Sequence, residues 1–84
     1  MSTEFHLTLI GKPGCHLCDD AEAVVSGVLE EIQGKVTLDR KNILEDDELF
    51  VRYSEEIPVL LINGKVHNYW HIDPDRLRSA LAAS

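Results

Sequence analysis

The sequence predicts an α/β fold in three layers, a mixed four-stranded sheet between helices, built in the order β-α-β-α-β-β-α. Three observations predict it: apolar alternation within the first ten positions, a long run of helical spacing after it, and an unbroken apolar stretch at 59–62 closed by an Asn-Gly pair. With 84 residues the chain is expected to form one domain over residues 1–84. A chain this short buries only about 60 to 65% of its unfolded surface and cannot divide into two cores.

The first strand runs over Glu4–Ile10, where Phe5, Leu7 and Leu9 alternate with His6 and Thr8. Gly11, Lys12, Pro13 and Gly14 break that pattern. From Leu17 onward, Ala21, Val24, Val25, Val28, Leu29 and Ile32 fall at helical spacing. They predict a long amphipathic helix with Asp20, Glu22, Ser26, Gly27, Glu30 and Glu31 toward water and Gly34 as its C-terminal stop. Val36, Thr37 and Leu38 then form a short second strand, parallel to the first because a helix crosses between them with right-handed chirality. Asp46 or Asp47 opens a shorter helix with Leu49, Phe50 and Tyr53 on its inward face. Val59–Ile62 is an apolar run of strand length, expected to be buried on both faces. Asn63-Gly64 predicts a tight hairpin that returns Lys65–His67 antiparallel to it. The last helix starts at Asp73, Pro74 and Asp75, which supply a cap, a residue with no N–H to lose and an acid in the first turn. Leu77, Ala80 and Leu81 give this helix an inward face. No linker, repeat or low-complexity segment interrupts the order.

Lys and Arg total 8 against 15 Asp and Glu, a formal net charge of −7. That balance argues against a nucleic-acid partner, since phosphate binding needs clustered Lys and Arg. The acids scatter over the predicted helices, the pattern of a solvated surface. No stretch approaches the roughly 18 apolar residues of a membrane span. Met1 to Glu4 carry no basic leader, and alternation begins at once with Phe5. The chain therefore reads as a cytoplasmic protein with no membrane partner.

Only two cysteines occur, Cys15 and Cys18. As a staple, a loop of about four residues would contribute roughly 2 kcal/mol, less than the ~3 of a fifteen-residue loop, so the pair better suits a bond that opens and closes. Cys15 lies between the first strand and first helix, at or just before the first helical residue, and Cys18 lies one turn inside. The free N–H groups and dipole of a helix N-terminus favour a thiolate at Cys15 and lower its pKa from the free value of about 8.5, which makes Cys15 the attacking thiol. Residues i and i+3 of a helix stand about 5 to 6 Å apart at Cβ, so a small rotation brings Cys18 to a mixed disulfide on Cys15 as the resolving thiol. A Cys-x-x-Cys that follows a strand and opens a helix in a βαβ context signals redox chemistry. The residues leave open an incidental helix-end pair or half a zinc site. Zinc would have to draw on His6, His16, His67 and His71, and with no second Cys-x-x-Cys or regular His pair no metal site is expected. Pro58 opens the buried strand, where it need not donate to the ladder. On frequency alone its peptide bond would be trans, since only about 5 to 6% of such bonds are cis.

The run Gly11-Lys12-Pro13-Gly14-Cys15-His16-Leu17-Cys18, with Ile57-Pro58 and the Asn63-Gly64-Lys65 hairpin, resembles the glutaredoxins and small bacterial glutaredoxin-like proteins of the thioredoxin superfamily. The resemblance covers nearly the whole chain in element order and implies a thioredoxin-like sandwich. It implies that Pro58 is cis, that its loop packs beside Cys15, and that the backbone of Ile57 pairs with a bound peptide or glutathione as an added strand would. Lys12 matches a lysine three residues before the nucleophile; either it stabilises the thiolate and meets a glutathione carboxylate, or it is a solvated loop lysine. His16 takes the place of the usual proline and as imidazolium would favour the thiolate further, although an exposed histidine with no such role fits equally. Leu17 replaces an aromatic residue flanking the substrate groove.

The chain departs from that pattern after the hairpin. Glutaredoxins follow it with Gly-Gly and an acid that cap the glutathione amino end, whereas this chain reads Val66-His67-Asn68-Tyr69-Trp70-His71-Ile72. The bulkier run puts glutathione use in doubt, and Tyr69 and Trp70 serve either as a recognition surface or as packing for the last helix on the sheet. The resemblance implies a thiol-disulfide oxidoreductase acting on protein or low-molecular-weight mixed disulfides. Cys15 and Cys18 are its catalytic residues, and Lys12, His16, Leu17, Ile57 and Pro58 line its substrate site. No tightly bound cofactor is expected. Glutathione or another low-molecular-weight thiol is the expected co-substrate, a protein disulfide or thiol the substrate, a reductase or small thiol the electron source, and a monomer the working form. The alternative is a non-catalytic module of the same fold that holds an iron-sulfur cluster or metal through Cys15 and an external thiol, or docks a protein partner. The second cysteine favours the enzyme.

Overall fold

The computed structural model describes residues 4–32 and 35–82. Its elements are β1 (Glu4–Gly11), α1 (His16–Glu31), β2 (Lys35–Asn42), a single 3₁₀ turn (Ile43–Glu45), α2 (Asp47–Tyr53), β3 (Val59–Ile62), β4 (Lys65–Tyr69) and α3 (Pro74–Ala82). The strands lie in the order β2-β1-β3-β4. β1 runs parallel to β2 and antiparallel to β3, and β3 antiparallel to β4, so the sheet is mixed as the sequence predicts.

Strand periodicity divides the core between the two faces. Leu7, Leu9 and Leu60 pack with Ala21, Val25 and Val28 of α1 and Leu77 and Leu81 of α3. One residue further along, Ile10 and Val59 join Ile43, Tyr53 and Ile57 on the other side. Successive strand residues point to opposite faces, so each single step, Leu9 to Ile10 or Val59 to Leu60, crosses the sheet. Fully burying each such side chain stabilises the fold by about 1.5–3 kcal/mol.

Several boundaries differ from the expectation. β2 reaches well past Val36–Leu38, because Glu4↔Lys35 through Gly11↔Asn42 pair in unbroken register. Asp39, Arg40, Lys41 and Asn42 hide this extension in the sequence, since an edge strand takes polar residues on its solvent side. α1 closes at Ile32, whose N–H donates to the Leu29 carbonyl at 3.3 Å; Gly34, the expected stop, lies outside the described residues. Asp46 caps α2 by accepting the N–H groups of Glu48 at 3.0 Å and Leu49 at 3.2 Å. Tyr53 is buried and Leu49 half-buried, but Phe50, expected inward, is 45% exposed. A two-turn helix covers the sheet with one i, i+4 stripe, and Phe50 falls beside it.

β3 is buried on both faces only at Val59 and Leu60; Leu61 and Ile62 are half-buried. Asn63 and Gly64 have φ of 52° and 84°, the two positive values a type I′ hairpin requires. β4 continues to Tyr69 rather than ending at His67. Leu60 pairs with Asn68 and Leu61 with Val66, which leaves His67 as the extra residue of a β-bulge. Asp73 caps α3 by accepting from Asp75 N–H at 2.9 Å and Arg76 N–H at 3.3 Å. Leu77 and Leu81 are buried there and Ala80 is half-buried. No helix among the described residues is long and apolar enough to cross a membrane.

Candidate functional site

The two cysteines sit where β1 gives way to α1. Gly14, at φ 75°, adopts a left-handed conformation that costs glycine little. It turns the chain so that Cys15 takes extended backbone, φ −102° and ψ 115°, as the N-cap of α1. The Cys15 carbonyl accepts the first helical bond from Asp19 N–H at 3.0 Å. Its Sγ accepts the Cys18 N–H at 3.2 Å, so a sulfur fills the place that a Ser or Asp oxygen usually takes at a cap. Both that amide and the helix dipole favour negative charge on the cap atom.

Cys18 has different surroundings. Burial, first, and a hydrogen bond to the Cys15 sulfur push its thiol up to about 11, while the Lys12 backbone N–H pulls the other way. At neutral pH Cys18 therefore holds its proton. Both cysteines are free and half-buried, and both pack against the cluster of Ile10, Ile43, Tyr53, Ile57 and Val59.

The Ile57-Pro58 peptide bond is cis, as the family resemblance implies. Pro58 is fully buried, and its carbonyl accepts the Trp70 N–H at 2.9 Å. The Trp70 indole N–H donates to the Glu55 carbonyl at 3.1 Å. These two bonds hold Trp70 at φ 63°, a left-handed conformation uncommon for any residue but glycine and an outlier for one this bulky. The Tyr69 ring meets it edge-on at 5.0 Å. Tyr69 and Trp70 are 45% and 50% exposed, so they do not serve as buried packing beneath the last helix.

Two depressions flank the start of α1. The larger, about 440 Å³, lies toward the end of β2 and is lined by Gly11, Lys12, Cys18, Glu22, Arg40 and Lys41 among others. Arg40 Nε donates to Glu22 Oε1 at 2.6 Å across it. The smaller, about 130 Å³, lies toward the segment after β4, where Leu17, Ala21, Val24, Trp70 and Ile72 form a mostly apolar wall. Of the residues singled out in the sequence, Lys12 and Cys18 thus share the larger hollow and Leu17 borders the smaller. Ile57 shares an apolar cluster with both cysteines. His16 is exposed at the first helical position and joins neither hollow. Sequence reasoning missed Arg40, Lys41 and Asn42 beside the cavity. The missing signal was the length of β2, whose register sets Asn42 opposite Gly11. It also missed the hydrogen bonds that tie Trp70 to Pro58 and Glu55, for which no local pattern exists.

The model of a family described as glutaredoxin-like domain (DUF836) matches residues 6–82. The uncharacterized protein Rv0508 of Mycobacterium tuberculosis is 29% identical over 83 residues, covering 90% of this chain and 81% of that protein. Among solved structures, protein XcR50 of X. campestris has a TM-score of 0.73 at 29% identity, over 93% of this chain and 97% of its own. Protein Ne2328 of Nitrosomonas europaea reaches 0.78 at 23% identity, over 95% and 94%. Thioredoxin-2 of the malaria parasite, at 13% identity, has a TM-score of 0.71 over 100% of this chain and 86% of its own, a likeness of fold alone.

Proposed function

Because this chain belongs to the glutaredoxin-like domain (DUF836) family and shares the fold of a thioredoxin, we propose that it is a thiol-disulfide oxidoreductase with Cys15 as nucleophile and Cys18 as resolving thiol. The observation that carries this reading is the Cys15 Sγ at the cap of α1, accepting an amide at 3.2 Å, beside a Cys18 that keeps its proton.

The Cys15 thiolate attacks one sulfur of a substrate disulfide. A Cys15–substrate disulfide forms, and the other substrate sulfur leaves as a thiolate that takes up a proton. Cys18 then gives up its proton and attacks Cys15 Sγ, forming the Cys15–Cys18 disulfide and releasing the second substrate thiol. Two equivalents of glutathione or another low-molecular-weight thiol, or a protein reductase, return the pair to the dithiol. Both sulfurs come from one helix, so a monomer suffices, and no tightly bound cofactor takes part. A reducing cytoplasm suits such a pair.

The substrate is a protein disulfide or a mixed disulfide with a small thiol. The backbone of Ile57 before Pro58 pairs with its main chain as an added strand. Lys12 offers an ammonium group from the larger hollow, while Leu17 and Trp70 contribute the apolar wall on the other flank. His16, exposed at the tip, adds positive charge near the thiolate when protonated.

The test is reduction of a protein disulfide and of a glutathione mixed disulfide by purified protein, with Cys15→Ser alongside. Turnover that vanishes in the variant supports the reading. Stoichiometric iron in freshly purified protein, with no exchange activity, would replace it by the cluster-holding module.

A further inference from the structure

Gly11 ends β1 directly against the second cysteine. A Cβ placed on it would stand 2.8 Å from Cys18 Sγ and 3.2 Å from Cys18 Cβ. The first contact is closer than real side chains come, and the second is tight. Cys18 Sγ therefore rests in a notch that exists because residue 11 has no side chain, in the wall of the larger hollow.

We propose that Gly11 is a positioning residue: its missing side chain parks Cys18 Sγ in the dithiol and so sets the balance between dithiol and Cys15–Cys18 disulfide. This rests on the reading of the pair as exchange-active. In the disulfide the two sulfurs must come within about 2.05 Å, which draws Cys18 Sγ out of the notch toward the cap. The contact of an added methyl with Cys18 Cβ is common to both redox states and largely cancels. The contact with Sγ exists only in the dithiol. Sγ ends a short side chain, so the cheapest relief is rotation about Cα–Cβ, which takes the sulfur out of the notch. A methyl at position 11 thus raises the dithiol relative to the disulfide and leaves the resolving sulfur unparked.

The experiment equilibrates wild type, Gly11→Ala and Gly11→Ser with graded ratios of reduced to oxidised dithiothreitol, then quenches and counts free thiols by mass spectrometry. Dithiothreitol supplies two electrons and two protons to the protein disulfide and closes to its own cyclic disulfide. Gly11→Ala should favour the disulfide by about tenfold, a potential about 30 mV more negative, with Gly11→Ser moving the same way. Gly27→Ala, where an added Cβ meets nothing within 4 Å, should leave the equilibrium unchanged. A wild-type balance in Gly11→Ala, or an equal shift in Gly27→Ala, overturns the proposal. Should Gly11→Ala fail to fold, the double variant Gly11→Ala/Cys18→Ala decides. Recovery of folding once the sulfur is gone supports the notch, and continued failure overturns it. If wild type forms no Cys15–Cys18 disulfide at any ratio, the oxidoreductase reading falls and takes this one with it. If it forms one that position 11 does not influence, only the positioning role is lost.

Discussion

Cys15 and Cys18 are the same chemical group one helical turn apart, and the backbone gives them opposite properties. Cys15 stands outside the first turn of α1, where its sulfur accepts an amide that the helix leaves unpaired. Cys18 stands inside that turn, against Gly11, where burial and its neighbour's sulfur push its thiol up to about 11. On the proposed reading, the division of labour between the two sulfurs comes from which residue is the cap. In the dithiol one sulfur accepts a helix-end amide, and the other is half-buried with its thiol pushed up to about 11.

Removing each sulfur in turn should separate the two cysteines most strongly. Cys15→Ser should lower turnover by on the order of 10³-fold or more. Cys18→Ser should keep the first attack and accumulate a mixed disulfide on Cys15, visible as added mass on the intact protein. Equal loss in both variants without any trapped adduct would erase the distinction. A smaller effect is expected at the other flank of α1. Trp70→Ala removes the half-exposed wall held by Glu55 and Pro58. It should lower kcat/KM for a protein disulfide by about tenfold, the low end for one apolar contact, while kcat with a small disulfide at saturation stays near wild type. A fall confined to kcat would instead place Trp70 among the groups that act on the reacting sulfurs.

The smallest effect is on stability. The Cys18 pKa in the folded protein lies above its ordinary value of 9.0, at about 11. A raised folded-state value contributes stability that is complete below the unfolded pKa and is lost as pH rises through the folded one. The reduced protein should therefore lose stability between pH 9 and about 11, by about 1 kcal/mol once partial exposure is allowed for. Cys18→Ala should flatten that part of the profile in denaturant titrations.

The element order was legible in the sequence because periodicity and punctuation agree at every junction. Leu7 and Leu9 alternate, Gly14 precedes the helix, Asn63-Gly64 makes the hairpin and Asp73-Pro74 caps α3. The place of Cys15 at a helix cap followed from the same punctuation. What stayed hidden depends on partners distant in sequence. β2 runs to eight residues where its apolar run, Val36 to Leu38, suggests three, because β1 templates it in register. Phe50 looks like a core residue, yet two turns of helix cannot bury it as well as Leu49 and Tyr53. The left-handed Trp70 is held by Pro58 and Glu55, and no local rule assigns a tryptophan to that conformation. Gly11 reads as a strand terminator, and its closeness to Cys18 emerges only once β1 and α1 are packed.

The most direct measurement is alkylation of the reduced protein with limiting iodoacetamide at pH 7, with peptide mapping to score each sulfur. Cys15 should carry nearly all of the early label while Cys18 stays unmodified. Label that reaches Cys18 first, or both sulfurs at the same rate, would contradict it.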